Sequence, residues 1–241
     1  MTTIKKTVFI TGSTRGIGLA LATLYTKAGW NVIGTARANS NTEKLAALLP
    51  FKIITLDATD EASISEAAHQ LEGVAIDLLI NNAGTGWLTE IVEPTKDMFM
   101  KVFEVNAVGP FLVTRALQPN LQLAAKHHGF ASVLQISSLL GSITSNNDEH
   151  ANTFNGQYSY STSKAALNMM TRSLAMDLRD SNVAVVAVHP GYVNTELTGN
   201  LGTLEPVDVA SAIAEVASKL SIKDTGKFLN AATMPSGELP W

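Results

Sequence analysis

The sequence contains no cysteine, which excludes disulfide frameworks, thiol nucleophiles and thiolate zinc sites, and fits a reducing compartment. Charge is scarce too. Only 16% of the 241 residues are Asp, Glu, Lys or Arg, and a net charge of −4 ill suits a nucleic-acid binder that works through phosphate attraction. No apolar run approaches the roughly 20 residues a membrane-spanning helix needs. The N-terminal stretch MTTIKKTVFITGS meets Gly12 too soon for a secretory signal. A cytoplasmic protein is expected. Linkers rich in Pro, Gly or Ser, internal repeats and low-complexity tracts are also missing, so residues 1–241 read as a single domain.

What the chain does have is 46% apolar residues in a repeated pattern: a short β-branched run, a turn, then a longer helical stretch. Strand-like runs fall at 7–11, 31–35, 51–56, 77–81, 132–137, 183–188 and 227–230. Most are continuously apolar, as parallel strands buried on both faces must be. Helical patterns occupy 17–28, 42–49, 61–71, 95–118 (with a break expected near Pro110), 160–179 and 206–220. Strict alternation predicts an α/β, doubly wound (Rossmann) fold with about seven parallel strands and helices on both faces. The stretch 141–157, rich in Asn and Ser, reads as a surface loop, and 191–204 as a second loop.

Between the first strand and the first helix stands Thr11-Gly12-Ser13-Thr14-Arg15-Gly16-Ile17-Gly18. Glycines permit a tight turn and close approach of the backbone to a pyrophosphate, while the helix start offers N–H groups and a positive dipole end. Alone, such a string is weak evidence. Its place at a strand-to-helix junction is what gives it meaning. The second strand closes on Gly34-Thr35-Ala36-Arg37, where a cofactor without a 2′-phosphate would want a carboxylate. Arg37 and Arg15 instead suit a phosphate dianion, though both also read as solvated surface charge. Tyr160 and Lys164, four apart, share a helix face. A phenol titrates near pH 10, and a neighbouring ammonium together with a cationic cofactor ring would bring it towards neutral pH. Ser138 closes the fifth strand at the carboxyl edge, where open α/β sheets bind ligands.

The spacing TGxxxGxG resembles the short-chain dehydrogenase/reductase family, and further segments resemble it in the same order over nearly the whole chain. They are Asn81-Asn82-Ala83-Gly84, Asn106, Ser138, Tyr160-x-x-x-Lys164 and Pro190-Gly191-Tyr192-Val193-Asn194-Thr195. The resemblance implies catalytic roles for Asn106, Ser138 (rather than Ser137), Tyr160 and Lys164. It implies cofactor contacts from Gly12, Ser13, Thr14, Arg15, Gly16, Ile17, Gly18, Arg37, Asp57, Ala58, Asn82, Ala83, Gly84, Tyr160, Lys164, Pro190, Gly191, Val193 and Thr195, with a mainly structural role for Asn81. The paired arginines resemble NADPH-preferring members, so NADP(H) is the expected cofactor and NAD(H) the second choice. The expected reaction is hydride transfer between nicotinamide and a small-molecule carbonyl or alcohol, in a homodimer or homotetramer, without membrane or nucleic-acid partners. A nucleotide-sensing regulator with little turnover is the rival reading. The ending Gly237–Trp241 (GELPW) resembles a subgroup of C-factor-like and sniffer-like carbonyl reductases.

One departure matters. Ser138 and Tyr160 stand farther apart than the family pattern places them, so 141–157 reads either as a wall or lid over the substrate or as a tolerated surface insertion. Ser161-Thr162-Ser163-Lys164 spells S-x-x-K without the companion S-D-N and K-T-G segments, and is a chance overlap. His69, His127, His128, His150 and His189 form no metal-spaced set; His127-His128 reads as a helix end and His189 as a packing position. No metal site is expected.

Overall fold

The computed structural model describes residues 5–86, 89–233 and 237–241; Met1–Ile4, at the head of the stretch that was read as no secretory signal, lie outside them. In chain order the elements are β1 (Thr7–Ile10), α1 (Gly16–Lys27), β2 (Asn31–Ala36), α2 (Glu43–Ala46), β3 (Lys52–Thr55), α3 (Glu61–His69) and β4 (Leu78–Asn81). They continue with α4 (Lys96–Phe103), α5 (Gly109–Ala116), α6 (Gln118–His128), β5 (Ala131–Ile136), α7 (Ala151–Phe154), α8 (Tyr158–Leu178), β6 (Val183–His189), α9 (Pro206–Lys219) and β7 (Phe228–Asn230).

The strands form one parallel sheet in the order β3-β2-β1-β4-β5-β6-β7. Successive side chains go to opposite faces. On β1, Phe9 joins a core with Leu79, Val133 and residues of α3, α5, α6 and α8, whereas Val8 and Ile10 pack with Leu21, Tyr25, Ile213 and Val216 of α1 and α9. Both faces are therefore dry, which is why the strands read as unbroken apolar runs. The strand order reverses between β1 and β4, and a crevice for a ligand opens at such a switch, outside the carboxyl ends of the strands.

Three expectations change in detail. The break near Pro110 is absent: Pro110 sits in the first turn of α5, where its missing N–H costs nothing. The irregularity lies one turn earlier, a five-residue π-turn over Glu104–Val108 in which the Gly109 N–H reaches the Glu104 carbonyl. The helical stretch 42–49 shrinks to the single turn of α2. The stretch 141–157 is partly helical, with a 3-10 turn over Asp148–His150 running into α7 and then α8.

Two features tie the far parts of the sheet. At the amino end of β4, Asp77 accepts from the Thr7 N–H (2.8 Å) and pairs with His128 at the end of α6 (2.5 Å). At the β7 edge, the chain end adds an antiparallel segment. The Leu239 N–H donates to the Phe228 carbonyl (2.7 Å), the Asn230 N–H to the Gly237 carbonyl (2.8 Å), and Trp241 stacks on Phe228. The Trp241 carbonyl accepts from the Thr144 N–H (3.1 Å), anchoring the 141–157 stretch.

Candidate active site

The glycine loop is built by mutual bonding of the β1 and β4 ends. Thr11 Oγ1 accepts from the N–H groups of Asn82 (2.9 Å) and Ala83 (3.0 Å), while Asn82 Nδ2 donates back to the carbonyls of Thr11 (3.0 Å) and Gly12 (3.1 Å). Ser13 is buried, and its hydroxyl accepts from the Thr35 N–H (2.7 Å), fastening the loop to β2. Its side chain is thereby committed to the fold. Gly12 holds φ +66°, and a Cβ on Gly18 would lie 2.2 Å from the Gly12 carbonyl oxygen. Only glycine fits both places.

The start of α1 is prepared for an anion. Arg15 at its N-cap makes no capping bond, and no acidic residue stands in the first turn, so neither a cap nor a first-turn carboxylate answers the positive end of the helix. With Thr14, Gly16 and Ile17 partly exposed around it, this cradle fits a pyrophosphate. Arg37 lines an open cavity of about 550 Å³ together with Asn39, Ser40, Asp57, Asp60 and Ser63. The Thr59 N–H holds the Asp57 carboxyl below its usual range, with help from the Thr59 hydroxyl and Arg37 and against partial burial. Ala58 packs against the start of α5, where a Cβ on Gly109 would lie 2.7 Å from the Ala58 carbonyl oxygen. Arg15 pairs with Glu196 (3.4 Å).

Beyond β4 the chain runs as a thin ribbon past the chemical end. A Cβ on Gly84 would meet Asn106 Oδ1 at 3.3 Å and Lys164 Nζ at 3.8 Å, and one on Gly86 would strike the Tyr160 ring at 2.6 Å. Asn106, carried on the π-turn and fully buried, pins this ribbon. Its Oδ1 accepts from the Thr85 N–H (2.9 Å), and its Nδ2 donates to the Thr85 carbonyl (2.7 Å) and to Ser163 Oγ (3.0 Å). Asn81 does not point here. It donates to Thr114 Oγ1 (3.0 Å), a structural role as expected.

Tyr160, Lys164 and Ser138 meet at the carboxyl edge of β5. Lys164 Nζ lies 5.6 Å from the Tyr160 ring centre and donates to the Ile136 carbonyl (2.8 Å). Burial pushes the lysine down to about 8 and the Tyr160 phenol up to about 12, while a hydrogen bond with Ser138 draws the phenol the other way. The pull towards neutral pH is expected from the ammonium and a cationic cofactor ring acting together. Desolvation weighs on both groups, and without a cationic cofactor ring it prevails. Tyr160 is accordingly a protonated acid, ready to give a proton.

Four supports were not foreseen. Gly86 clears the tyrosine ring. Asn168, one turn beyond Lys164, accepts from Ser137 Oγ (2.6 Å) and donates to the Gly141 carbonyl (3.0 Å); the i, i+4, i+8 series Tyr160, Lys164, Asn168 is a signal that marks it. Glu196 holds Arg15. His189, read as packing, sits beside the chemistry: its Nδ1 accepts from the Leu139 N–H (3.1 Å), fixing the turn after Ser138. Pro190 is buried; Gly191 (φ +88°) leads into a folded loop in which Val193 bridges Leu204, and the Thr195 methyl lies 3.3 Å from a Cβ placed on Gly16.

Burial drives His189 down from the usual 6.5 to about 4. Between those values the unfolded chain takes up a proton that the folded chain refuses, so stability falls as pH drops through that window. The expected loss from this group is about 2 kcal/mol by pH 5. His189→Asn keeps an acceptor for the Leu139 N–H without the titration. Denaturant midpoints at pH 7 and pH 5 check it, since the variant's drop should be smaller by that amount; equal drops would refute it.

Among the described residues, no group of three or more His, Asp or Glu is placed to hold a metal, and no helix is long and apolar enough to cross a membrane. The chain is 35% identical to C-signal of Myxococcus xanthus over 69% of its own length and 93% of that protein. Its fold superposes on the NADPH-bound carbonyl reductase from chicken fatty liver with a TM-score of 0.88, at 32% identity, covering 98% of this chain and 94% of that one. It superposes equally well (0.88) on the carbonyl reductase Sniffer of D. melanogaster, at 29% identity and with 98% and 100% of the two chains covered. The family profile of the short chain dehydrogenases matches residues 6–205, which span the glycine loop, the Tyr160–Lys164 pair and the Thr195 segment. The chain belongs to the short-chain dehydrogenase family.

Proposed function

We propose that the protein is an NADPH-dependent carbonyl reductase acting on small aldehydes or ketones. One observation carries this reading: a protonated Tyr160, hydrogen-bonded with Ser138 and with Lys164 beside its ring, stands at the carboxyl edge of the sheet beyond a glycine cradle. When bound, the cofactor supplies the hydride. The chain's residues manage the proton. Tyr160 donates it to the substrate oxygen, and Ser138 hydrogen-bonds the same oxygen as negative charge gathers there. Lys164, held by the Ile136 carbonyl, stays by the phenol and favours its anionic form after the proton has left. Asn106 keeps the Gly84–Gly86 ribbon at a fixed height beneath them. Gly12, Gly16, Gly18 and the α1 start hold the pyrophosphate, Asp57 and Ala58 border the adenosine, and Arg37 takes the 2′-phosphate. Asn82, Ala83, Pro190, Gly191, Val193 and Thr195 line the nicotinamide half.

A panel of aldehydes, ketones and quinones, followed by the oxidation of NADPH, tests the reading. Turnover on at least one class is expected, and Arg37→Asp should move the NADPH/NADH ratio of kcat/KM towards NADH by about tenfold or more. Tight NADPH binding with a silent panel would favour a nucleotide sensor instead.

A further inference from the structure

Arg15 and Arg37 are not equivalent. Arg37 faces the cavity bordered by Asp57, whereas Arg15 at the α1 N-cap is engaged with the first residue of the 3-10 turn Glu196–Thr198. We infer that Glu196 is a specificity-determining residue: by occupying the Arg15 guanidinium, it holds the preference for the 2′-phosphorylated cofactor below what two free arginines would give. The inference rests on the NADPH reading above.

The geometry makes this more than two surface charges in passing. The Thr195 methyl lies 3.3 Å from a Cβ placed on Gly16, so the loop after β6 abuts the glycine loop and the Arg15–Glu196 bond spans the seam between them. Both side chains are about two-thirds exposed, at 66% and 65%. A pair in that setting is weak, so an incoming phosphate can take the guanidinium. It does so at two costs: the Glu196 bond is surrendered, and the freed carboxylate remains close to a group carrying nearly two negative charges. A ribose bearing only a hydroxyl meets neither. The pyrophosphate is common to both cofactors, so its repulsion by Glu196 cancels in the ratio of affinities.

Calorimetric titration of the purified chain with NADP+ and with NAD+, at low ionic strength, reads this without catalysis. Glu196→Gln should tighten NADP+ about three-fold or more and leave NAD+ within about two-fold. The gain should vanish in the Arg15→Ala background and shrink in 0.5 M salt (a concentration whose screening length is on the order of 4 Å). An unchanged NADP+/NAD+ ratio in Glu196→Gln, or weaker NADP+ binding, would overturn the inference. The single variant Arg15→Ala separates the two levels. If it lowers the ratio while Glu196→Gln does nothing, only the role of Glu196 falls. If it leaves the ratio untouched, Arg15 does not read the 2′-phosphate and the inference falls, while the NADPH reading still stands on Arg37.

Discussion

Tyr160→Phe is expected to lower kcat by about 10²–10⁴-fold, the range lost when a positioned general acid is removed, while NADP+ affinity stays within about two-fold. The separation follows from the site. The ring lies against Gly86 and near Lys164, and phenylalanine fills the same space, so the ribbon from Gly84 to Gly86 keeps its course. What disappears is the hydroxyl, hydrogen-bonded with Ser138 and held protonated by burial. Steady-state rates and calorimetric NADP+ titration of the same preparation check it. Near-normal turnover would remove Tyr160 from the mechanism, and joint loss of turnover and binding would mark it as a structural support.

Gly18→Ala carries the second large effect. The new methyl would lie 2.2 Å from the Gly12 carbonyl oxygen, which is backbone, and 2.6 Å from Asn82 Nδ2, a side-chain atom pinned by its bonds to the Thr11 and Gly12 carbonyls. Relief requires breaking the Asn82–Gly12 bond or shifting the first turn of α1. Overpacking of this kind costs about 3 kcal/mol, which corresponds to a fall in Tm of roughly 6–12 °C for a chain of this size. Affinity for NADP+ should fall by about 100-fold, because the helix start and the turn form one surface for the pyrophosphate. Thermal denaturation and cofactor titration read the two effects separately. A stable variant with ordinary affinity would show that the loop yields where the geometry says it cannot.

The central strands were legible in the sequence because two-sided burial leaves an apolar run, as in Val183–His189, whereas the less buried β3 and β7 were legible from the alternation of strands and helices. The helix α6 was not: the pattern over 95–118 stops at Gln118, where α6 begins, and only His127-His128 reads as the end of a helix. The 42–49 helix failed because only Leu45 is buried and Leu48 packs partly against the core, too little apolar surface to hold further turns. Within the site, Asn106, Ser138, Tyr160 and Lys164 were all singled out, and they do gather at one edge of the sheet. His189 and Glu196 escaped. Each acts through a single contact to a residue far away in sequence, Leu139 and Arg15, and neither spacing nor periodicity records such a meeting.

The antiparallel segment laid along β7 has a bearing on self-association. An open strand margin is a template on which further chains can add, and β7 is a short margin of this sheet, occupied by the backbone of Gly237 and Leu239. The new outer rim carries Glu238 and Pro240, a charge and a residue with no N–H to offer, and so is a poor seed for fibril growth. Loss of that guard would uncover Phe228 and loosen Thr144, leaving a bare strand margin on which other chains could add.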